Sequence, residues 1–313
     1  MDSFNNTVID WLLAGDASVV YQTKRDLLGA GDSELKTLQK RIPMEGWGKQ
    51  FMKYRNADGL WGGGFYLPKW TSTHYTLLDL KNLGFPKGNH LINESVLQVL
   101  YTEKGKNGGI SYGRKYSDVC VNGMILNFGA YFVGKHKSLN EIVDFLLDTQ
   151  MPDGGWNCKY LQGATHSSVH STLSVLEGLC EHIHSGNVHK IREIMLAKKR
   201  GVEFLLVHNL YKSHTTGAII DPKMLRFTYP TRWRYDILRA LDYFQRAQVS
   251  YDKRMEDALS ILRSKQRPDG LWNLEGKHAG KFHFEMEKAG QPSRWNTLRA
   301  LRVLKHFESG YSH

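Results

Sequence analysis

The pattern of the stretch QMPDGGW at residues 150–156 occurs more than once in this chain. It returns as QRPDGLW at 266–272, as NADGLW at 56–61 and, in a degenerate form, as KNGGISYG at 106–113. Asp and Gly permit a tight turn with one residue at positive φ, and the Trp that follows can fill the gap between neighbouring helical hairpins. The phrase is therefore predicted to be structural, a turn that joins one repeat to the next.

The spacing of the phrase gives the size of the repeat. Asp58, Asn107, Asp153 and Asp269 occupy equivalent positions, separated by 49, 46 and 116 residues. The last gap is two periods of 58 residues, so one copy is predicted to have lost its signature near residue 213. A period of roughly 50 residues with two helices per unit is typical of a solenoid or a closed ring.

Apolar residues recur three and four positions apart through most of the chain, which predicts helices rather than strands. Segments that are apolar on most faces are predicted to be inner helices: 18–29, 72–84, 121–134, 168–179, 234–244 and 294–307. More amphipathic segments are predicted to form an outer layer: 5–14, 33–53, 89–101, 138–149, 188–208 and 252–265. The fold is therefore predicted to be all-α, six helix pairs in a single domain over residues 1–313.

Composition narrows the classes of function. The chain has 313 residues, 41% of them hydrophobic and 23% charged, as in a soluble globular protein. No stretch reaches the roughly 18 consecutive apolar residues of a membrane span, and the N-terminus lacks the basic segment of a secretory signal; peripheral membrane contact stays open. The three cysteines cannot form a paired disulfide framework, which favours a cytoplasmic location.

The charge and the aromatic content point to a small-molecule ligand. The net charge is +11, which indicates a solvated basic surface, a nucleic-acid partner or an anionic substrate. No helix-turn-helix, zinc-finger or RNP pattern is present, so a nucleic-acid partner is not expected. The 12% aromatic content, with 8 Trp and 15 Tyr, predicts an aromatic-lined cavity. Nothing in the sequence indicates an oligomeric state.

The pattern Q-x-x-D-G-x-W, present at 150–156 and 266–272, resembles the repeat signature shared by squalene and oxidosqualene cyclases and the β subunits of protein prenyltransferases. The chain is also similar to bacterial toroid proteins labelled only as squalene-cyclase-like. The resemblance covers essentially the whole chain as a pattern of repeats. It implies an α/α toroid, in which six inner helices surround a central cavity and six outer helices surround them.

Three residues near the starts of inner helices are candidates for a metal site. When the apolar cores of the segments are aligned, His74, Cys120 and His170 fall at one level of three successive inner helices. Asp118 stands two residues before Cys120, and His166 stands one helical turn before His170. Thiolate, imidazole and carboxylate together suit Zn²⁺. Ordinary buried residues are the alternative explanation.

The same residues carry the resemblance to the prenyltransferase β subunits. There a D-x-C pair and a His at the start of the next inner helix hold zinc, which implies Asp118, Cys120 and His170 as ligands and catalytic residues here. His166 is the alternative imidazole. Basic residues shortly before the Asp contact the isoprenoid diphosphate in that family, which implies that Arg114 and Lys115 bind the substrate.

Aromatic and basic residues cluster at the predicted mouth of the ring. They are Trp70, His74, Tyr75, Arg232, Trp233, Arg294 and Trp295. Helix N-termini with Arg nearby attract anions, and Trp faces can stabilise a cation or stack on an apolar chain. The group is therefore predicted to bind substrate. The alternative is that the two Arg-Trp pairs brace adjacent hairpins by stacking.

The sequence thus predicts an isoprenoid-type enzyme with a central aromatic cavity, assisted by zinc and acting on an anionic isoprenoid such as a prenyl diphosphate. A cyclase initiated by protonation is disfavoured, because no D-x-D-D run is present. A glycan-active toroid needs two facing carboxylates, and four residues could supply them: Asp118, Asp236, Glu285 and Glu287. A non-catalytic toroid that binds a ligand or a protein is the remaining alternative.

Overall fold

A computed structural model describes residues 5–308, and thirteen α-helices lie in that range. The inner helices are α2 (Ala17–Gln22, continued by a π-helical turn at Thr23–Leu27), α5 (Thr73–Leu83), α7 (Val119–Val133), α9 (Val169–His184), α11 (Ile237–Arg246) and α13 (Arg294–Glu308). The outer helices are α1 (Asn6–Leu13), α3 (Asp32–Arg41), α4 (Gly46–Lys53), α6 (His90–Leu100), α8 (Lys137–Asp148), α10 (Ile191–Val207) and α12 (Glu256–Ser264).

The inner helices close into a ring. Each of α5, α7, α9 and α11 packs against the next inner helix in the chain, and α13 returns to pack against α2. Between α2 and α5 the side-chain amide of Gln22 donates a hydrogen bond to the Asn82 carbonyl at 2.8 Å. The closest approach is between α7 and α9, where a Cβ on Gly178 would stand 2.3 Å from the Gly123 carbonyl oxygen. The predicted division into inner and outer layers is confirmed.

The outer layer departs from the prediction at one place. Residues 33–53, expected as one segment, form the two helices α3 and α4, and the break falls at residues 42–45. Pro43 lies in this break. Proline has no backbone N–H to continue the helical hydrogen bonds, so the helix ends and a second one begins.

The repeated phrase joins the outer helix of one hairpin to the inner helix of the next. Each buried Trp donates its indole N–H to a carbonyl of the preceding outer helix: Trp61 to Phe51 at 2.8 Å, Trp156 to Leu146 at 2.6 Å and Trp272 to Leu262 at 2.8 Å. Each Trp backbone N–H donates to a Thr hydroxyl on the following inner helix: Thr73 at 2.9 Å, Thr172 at 3.0 Å and Thr297 at 3.0 Å. The phrase therefore ties the two layers together.

The copy of the phrase that is predicted to have lost its signature near residue 213 still forms a turn. In the intact copies a backbone N–H at the start of the turn bonds to the carbonyl four residues later, as from Met151 to Gly155 at 2.9 Å. Ser213 makes the same bond to Ala218, one residue further on, at 2.7 Å. Gly217 has φ +70°, as Gly154 has +96°. The turn has kept its backbone although its Asp-Gly-x-Trp signature is gone.

Candidate functional site

The predicted alignment of the inner helices is correct at the mouth, where those helices begin. His74, Cys120 and His170 are each the second residue of their helix, in α5, α7 and α9. They do not meet, however, because each side chain reaches along the ring to the loop of the following repeat. The contacts are His74 Nδ1 with the Tyr112 hydroxyl at 3.0 Å, Cys120 Sγ with Cys158 Sγ at 3.0 Å, and His170 Nδ1, which accepts from the Tyr235 N–H at 2.8 Å.

The remaining members of the predicted zinc set have other partners. The Asp118 carboxylate forms an ion pair with Arg114, 2.7 Å from Nη1 to Oδ2, and His166 is exposed to solvent. Among the described residues no group of three or more His, Cys, Asp or Glu side chains is placed to hold a metal ion. These side chains as arranged therefore do not fit a zinc ion, and zinc binding stays a prediction.

The mouth is an uncharged aromatic cluster. Burial, with a smaller contribution from Arg114, lowers the pKa of His74 to about 3. Burial likewise lowers the pKa of His170 to about 4, with Arg239 and Arg234 adding to the effect. Both imidazoles are therefore neutral at neutral pH. Burial also raises the pKa of Tyr75 well above its ordinary value, and the Tyr75 hydroxyl lies 3.3 Å from that of Tyr66.

The two basic residues before Asp118 lie on the surface of the mouth. The Arg114 guanidinium stands 5.5 Å from the centre of the Tyr66 ring, and the Lys115 ammonium stands 5.2 Å from that of Tyr116. Both side chains are exposed, and neither lines the two cavities described below. Their predicted role toward an anionic substrate has no support from this placement.

The two Arg-Trp pairs differ although their sequences repeat. Arg232 is buried at φ +58°, forms a buried ion pair with Asp79 and stands over the ring of Trp70 at 5.6 Å. Arg294 is half-buried; its guanidinium stands 4.3 Å from the ring centre of Trp11, and its Nε donates to the Trp11 carbonyl at 3.1 Å. Both arginines therefore brace neighbouring segments by stacking.

The tryptophans of these pairs also separate. Trp233 is half-buried, and its ring lies edge-on to His170 at 5.4 Å between ring centres. Trp295 is buried between the Tyr229 ring at 5.0 Å and the ring of Trp47 on the outer helix α4 at 6.0 Å, and it borders the cavity described below. Trp295 is thus the member of the two pairs that reaches the central cavity.

An aromatic pocket of about 310 Å³, here called the mouth pocket, lies beside the aromatic cluster. Its apolar walls are Phe51, Trp70, Tyr229, Pro230, Phe282, Phe284 and Met286. The loop at 277–287 covers it: the Trp70 indole N–H donates to the Ala279 carbonyl at 2.6 Å, and His283 Nε2 lies 3.0 Å from the Thr76 hydroxyl. Charged or titratable residues complete the lining: Arg232, Lys277, His283, Glu285 and Glu287. Apolar walls combined with a small number of polar groups are typical of small-molecule sites.

A second cavity, the central cavity, has a volume of about 370 Å³ and is bounded by all six inner helices. Its lining is polar, unlike the aromatic cavity predicted from composition. Ionised residues on the inner helices form a charged belt in and beside it: Lys81, Glu177, Glu181, Arg239, Asp242, Arg246, Arg299 and Arg302. Arg25 and Asp26, from the π-helical turn, extend the belt to the first repeat.

The charged belt links neighbouring helices by ion pairs. Arg239 on α11 holds Glu177 on α9 through two bonds, of 2.9 Å and 2.6 Å. Lys81 on α5 lies 3.3 Å from the Glu181 carboxylate, which also pairs with Arg246. On the other side, Asp242 pairs with Arg299 at 3.3 Å and with Arg302 at 2.6 Å. Arg302 continues to Asp26 at 3.0 Å.

Cations outnumber carboxylates in the belt. Glu181 is shared by Lys81 and Arg246, and Asp242 is shared by Arg299 and Arg302, so each of these carboxylates holds two cations. Burial and the charge of Arg246 lower the pKa of Lys81 to about 8. Positive charge in excess, in a cavity with restricted access to water, favours an anionic ligand.

Three buried polar atoms of cavity-lining residues have no hydrogen-bond partner within the described part of the chain. They are the Asn127 side-chain oxygen, the Tyr243 hydroxyl and the Trp295 indole N–H. Buried polar groups in folded proteins are nearly always paired with protein, water or ligand. The two groups that carry a hydrogen, Tyr243 and Trp295, add neutral donors to the cations of the belt.

Sequence reasoning missed the charged belt, although a signal was present. Its members interrupt otherwise apolar inner helices, as in SVLEGLCE (174–181), ILRALDYFQR (237–246) and TLRALRVL (297–304). A charge that recurs in the interior of a predicted buried helix needs a partner. Aligning these charges between repeats would have placed them at one depth of the ring.

Comparison with known proteins supports the architecture. A glycosyl hydrolase family 88 protein from Bacteroides vulgatus superposes with a TM-score of 0.52 at 12% identity, over 93% of this chain and 89% of that one. The chain has the α/α-toroid fold. The type II terpene cyclase MstE from Scytonema also matches this toroid, with TM-scores of 0.44 with a bound product and 0.41 with a bound substrate, at 14% identity over 93% of the chain and 87% and 86% of the cyclase.

The sequence comparisons give no relatives. No protein-family model matches the chain, and no curated protein matches it. Within residues 5–308 no helix of the toroid combines the length and the apolar character needed to cross a membrane. The likeness to solved structures therefore shows the fold, and the function has to be argued from the residues of this chain.

Proposed function

We propose that the toroid is an isoprenoid-type enzyme whose substrate is an amphiphilic anion such as a prenyl diphosphate. The anionic head would occupy the central cavity and the apolar chain the mouth pocket. The observation that carries the proposal is the position of Tyr229, which lines both cavities. A cationic compartment and an aromatic compartment thus share one wall, and a molecule with one charged end and one apolar end matches that arrangement.

The head of the ligand is matched by the charged belt. A diphosphate would accept hydrogen bonds from the cations that share a carboxylate, Arg299 and Lys81 among them. Charge-assisted hydrogen bonds to phosphate oxygens are about twice as strong as neutral ones. The Trp295 indole N–H, which has no partner of its own, would supply a further donor.

The chemistry that this arrangement supports is cleavage of the bond between the allylic carbon and the diphosphate oxygen. The electron pair leaves with the diphosphate, whose added negative charge is stabilised by the fixed cations of the belt. The allylic cation that remains would face aromatic rings of the mouth pocket, such as Phe51 and Phe284, whose π faces stabilise positive charge. It would then lose a proton, which the released diphosphate can accept, to give a diene.

Isothermal titration with three probes tests the proposal: farnesyl diphosphate, inorganic diphosphate and farnesol. We expect farnesyl diphosphate to bind more tightly than either of the others, because it alone fills both compartments. Release of inorganic diphosphate from farnesyl diphosphate, measured over time, tests turnover. If farnesyl diphosphate and inorganic diphosphate bound equally well, the mouth pocket would have no part in binding and the proposal would fail.

A second candidate, a glycan-active toroid, is favoured by one observation on α11. Burial raises the pKa of Asp236 to about 6, whereas Arg302 and Arg299 hold the pKa of Asp242 below its usual value against the effect of burial. A carboxyl with a raised pKa together with one whose pKa is lowered is the combination that glycosidases use as acid and as base or nucleophile.

Acidic and neutral oligosaccharides, assayed for new reducing ends, test this second candidate. It requires hydrolysis by the unmodified chain and its loss in Asp236→Asn. Binding of farnesyl diphosphate with no hydrolysis of any oligosaccharide would reject it in favour of the isoprenoid proposal.

A further inference from the structure

Two cysteine side chains from different repeats lie against each other at the mouth. Cys120, in the first turn of α7, places its Sγ 3.0 Å from the Sγ of Cys158, in the loop that follows the DGGW turn. The Cys120 backbone N–H points at the same sulfur, 3.4 Å away. The Ser171 hydroxyl also lies 3.4 Å from Cys158 Sγ. This backbone and hydroxyl support fixes the position of Cys158 relative to Cys120.

The pair is placed for a covalent bond. A disulfide has an S–S length of about 2.05 Å, so the two sulfurs have to approach by roughly 1 Å. Both residues are partly exposed, whereas the third cysteine, Cys180, is buried on α9 with its Sγ 3.9 Å from the ring nitrogens of His184. Cys120 and Cys158 are therefore both accessible to solvent and paired with another thiol, whereas Cys180 is neither.

We propose that Cys120 and Cys158 form a dithiol site that reacts with hydrogen peroxide or an organic peroxide to give an intramolecular disulfide. One thiolate attacks a peroxide oxygen and breaks the O–O bond, which gives a sulfenic acid and releases hydroxide or alkoxide. The other sulfur then attacks the sulfenic sulfur, and water leaves. The two thiols are oxidised by two electrons and the peroxide is reduced by two.

The new bond ties the start of α7 to the loop before α9, across 38 residues of sequence. It lies at the same level as the contacts His74–Tyr112 and His170–Tyr235, which link their own repeats without a covalent bond. Oxidation therefore locks one of three equivalent junctions at the mouth. The inference does not depend on the proposed function, since it concerns the thiols alone.

The experiment treats the reduced full-length chain with a small excess of hydrogen peroxide, followed by thiol titration and peptide mapping without reductant. We expect free thiols to fall from three to one, a cross-linked peptide containing Cys120 and Cys158, and full recovery with dithiothreitol. Mapping of the unmodified chain decides the question even if a cysteine variant fails to fold.

Matched variants sharpen the result. Cys180→Ser should still lose both of its remaining thiols as a disulfide, whereas Cys120→Ser and Cys158→Ser should form no cross-link within the chain. Oxidation of Cys180 at the same rate as the pair would contradict the proposal. So would sulfinic acid on a single cysteine with no linked peptide, because a neighbouring thiol at 3.0 Å should capture the sulfenic acid first.

Discussion

The mouth of the ring and the charged belt both carry residues suited to chemistry, but they use them differently. At the mouth the side chains of His74, Cys120 and His170 are engaged with the loop of the next repeat. In the belt, ionised side chains at mid-helix share partners around a cavity of about 370 Å³. At the mouth, residues suited to chemistry therefore hold neighbouring repeats together. In the belt, positive charge remains in excess of the carboxylates that pair with it.

The free-energy cost of burying charge distinguishes the belt from the mouth. Moving charged groups out of water costs several kcal/mol per ion, and ion pairing repays that cost only with good geometry. Apolar residues in the belt would close the ring at least as well, so a ring of charges indicates a use beyond stability. The neutral aromatic side chains of the mouth carry no such cost and can serve packing alone, and the buried pair of Arg232 with Asp79 is the exception there.

The largest effect expected is on stability, from Arg232→Ala at the mouth. The change leaves the Asp79 carboxylate buried without its partner, and breaking a buried pair in this way costs about 3–5 kcal/mol. Urea denaturation at pH 7.5 measures the loss of unfolding free energy. Burial already raises the pKa of Asp79 to about 6, so the loss should shrink toward pH 5 as the carboxyl becomes protonated.

Arg294→Ala is the matched control, because Arg294 is also followed by a Trp at the start of an inner helix. Arg294 stacks on Trp11. Its backbone N–H donates to Glu287, but its guanidinium forms no ion pair within residues 5–308. A loss of about 1 kcal/mol is expected from its stacking and hydrogen bond. Equal losses in the two variants would mean that stacking, and not the buried ion pair, sets the stability of the mouth.

The difference between these two arginines also shows what sequence can and cannot predict. Period, layer assignment and the level of the helix starts follow from spacing, and all three are correct in the structure. The directions of side chains do not follow from spacing. The shared level of His74 and His170 predicts a common metal site, but each imidazole is engaged with the loop of the next repeat, at Tyr112 and Tyr235.

The belt could be predicted only by starting from the charges that interrupt otherwise apolar segments. The segments predicted to be inner helices are apolar on most faces. Lys81, Glu177 and Arg239 lie inside those helices and are the charges least expected there. Their partners lie on other helices, so the pairing itself requires the three-dimensional ring.

The next largest effect is on ligand affinity, from Arg299→Met in the belt. Asp242 keeps Arg302 as a partner after the change, so the fold should hold while one cation of the cavity disappears. Losing a charge-assisted hydrogen bond of about 1.5–3 kcal/mol corresponds to at least a tenfold rise in the Kd for farnesyl diphosphate. Isothermal titration measures the change, with a denaturation curve on the same sample.

Arg263→Met is the control for net charge, because Arg263 lies on the outer helix α12 and pairs with Glu256 and Glu308 at the surface. It changes the total charge by the same amount without touching the cavity, and its Kd should stay within twofold of the unmodified chain. If both variants weakened binding alike, long-range charge and not the belt would account for the affinity.

A smaller effect on stability is expected from Asp236→Asn. The folded pKa of Asp236, about 6, lies above its ordinary value of 3.8 because of burial, so stability is lost as pH rises from about 3.8 to 6 and the full loss persists above pH 6. Asn cannot ionise, and its side-chain oxygen can still accept the hydrogen bond from the Arg239 N–H at the start of α11. Unfolding free energy should rise by about 1–3 kcal/mol at pH 7.5 and not at pH 3.5.

The opposite sign would be equally informative for Asp236. Arg299 is the largest influence acting against burial on this carboxyl. A loss of stability in Asp236→Asn at pH 7.5 would mean that attraction to Arg299 outweighs desolvation, which would make Asp236 a working member of the belt. A gain of stability would mean that desolvation of Asp236 outweighs its attraction to Arg299. The glycan candidate would then require that the same variant abolish hydrolysis.

The smallest effect is a pH dependence of ligand affinity that passes through Lys81. Its pKa of about 8 means that the amine is mostly charged at pH 7 and mostly neutral at pH 9. An anionic head favours the charged form, so affinity for farnesyl diphosphate should fall a few-fold across this window as pH rises. Titration of the ligand itself contributes to the same curve, so Lys81→Met, which leaves Glu181 paired with Arg246, supplies the reference. The unmodified chain should lose more affinity than the variant between pH 7 and pH 9; parallel curves would remove Lys81 from the binding site and leave the arginines as its cationic wall.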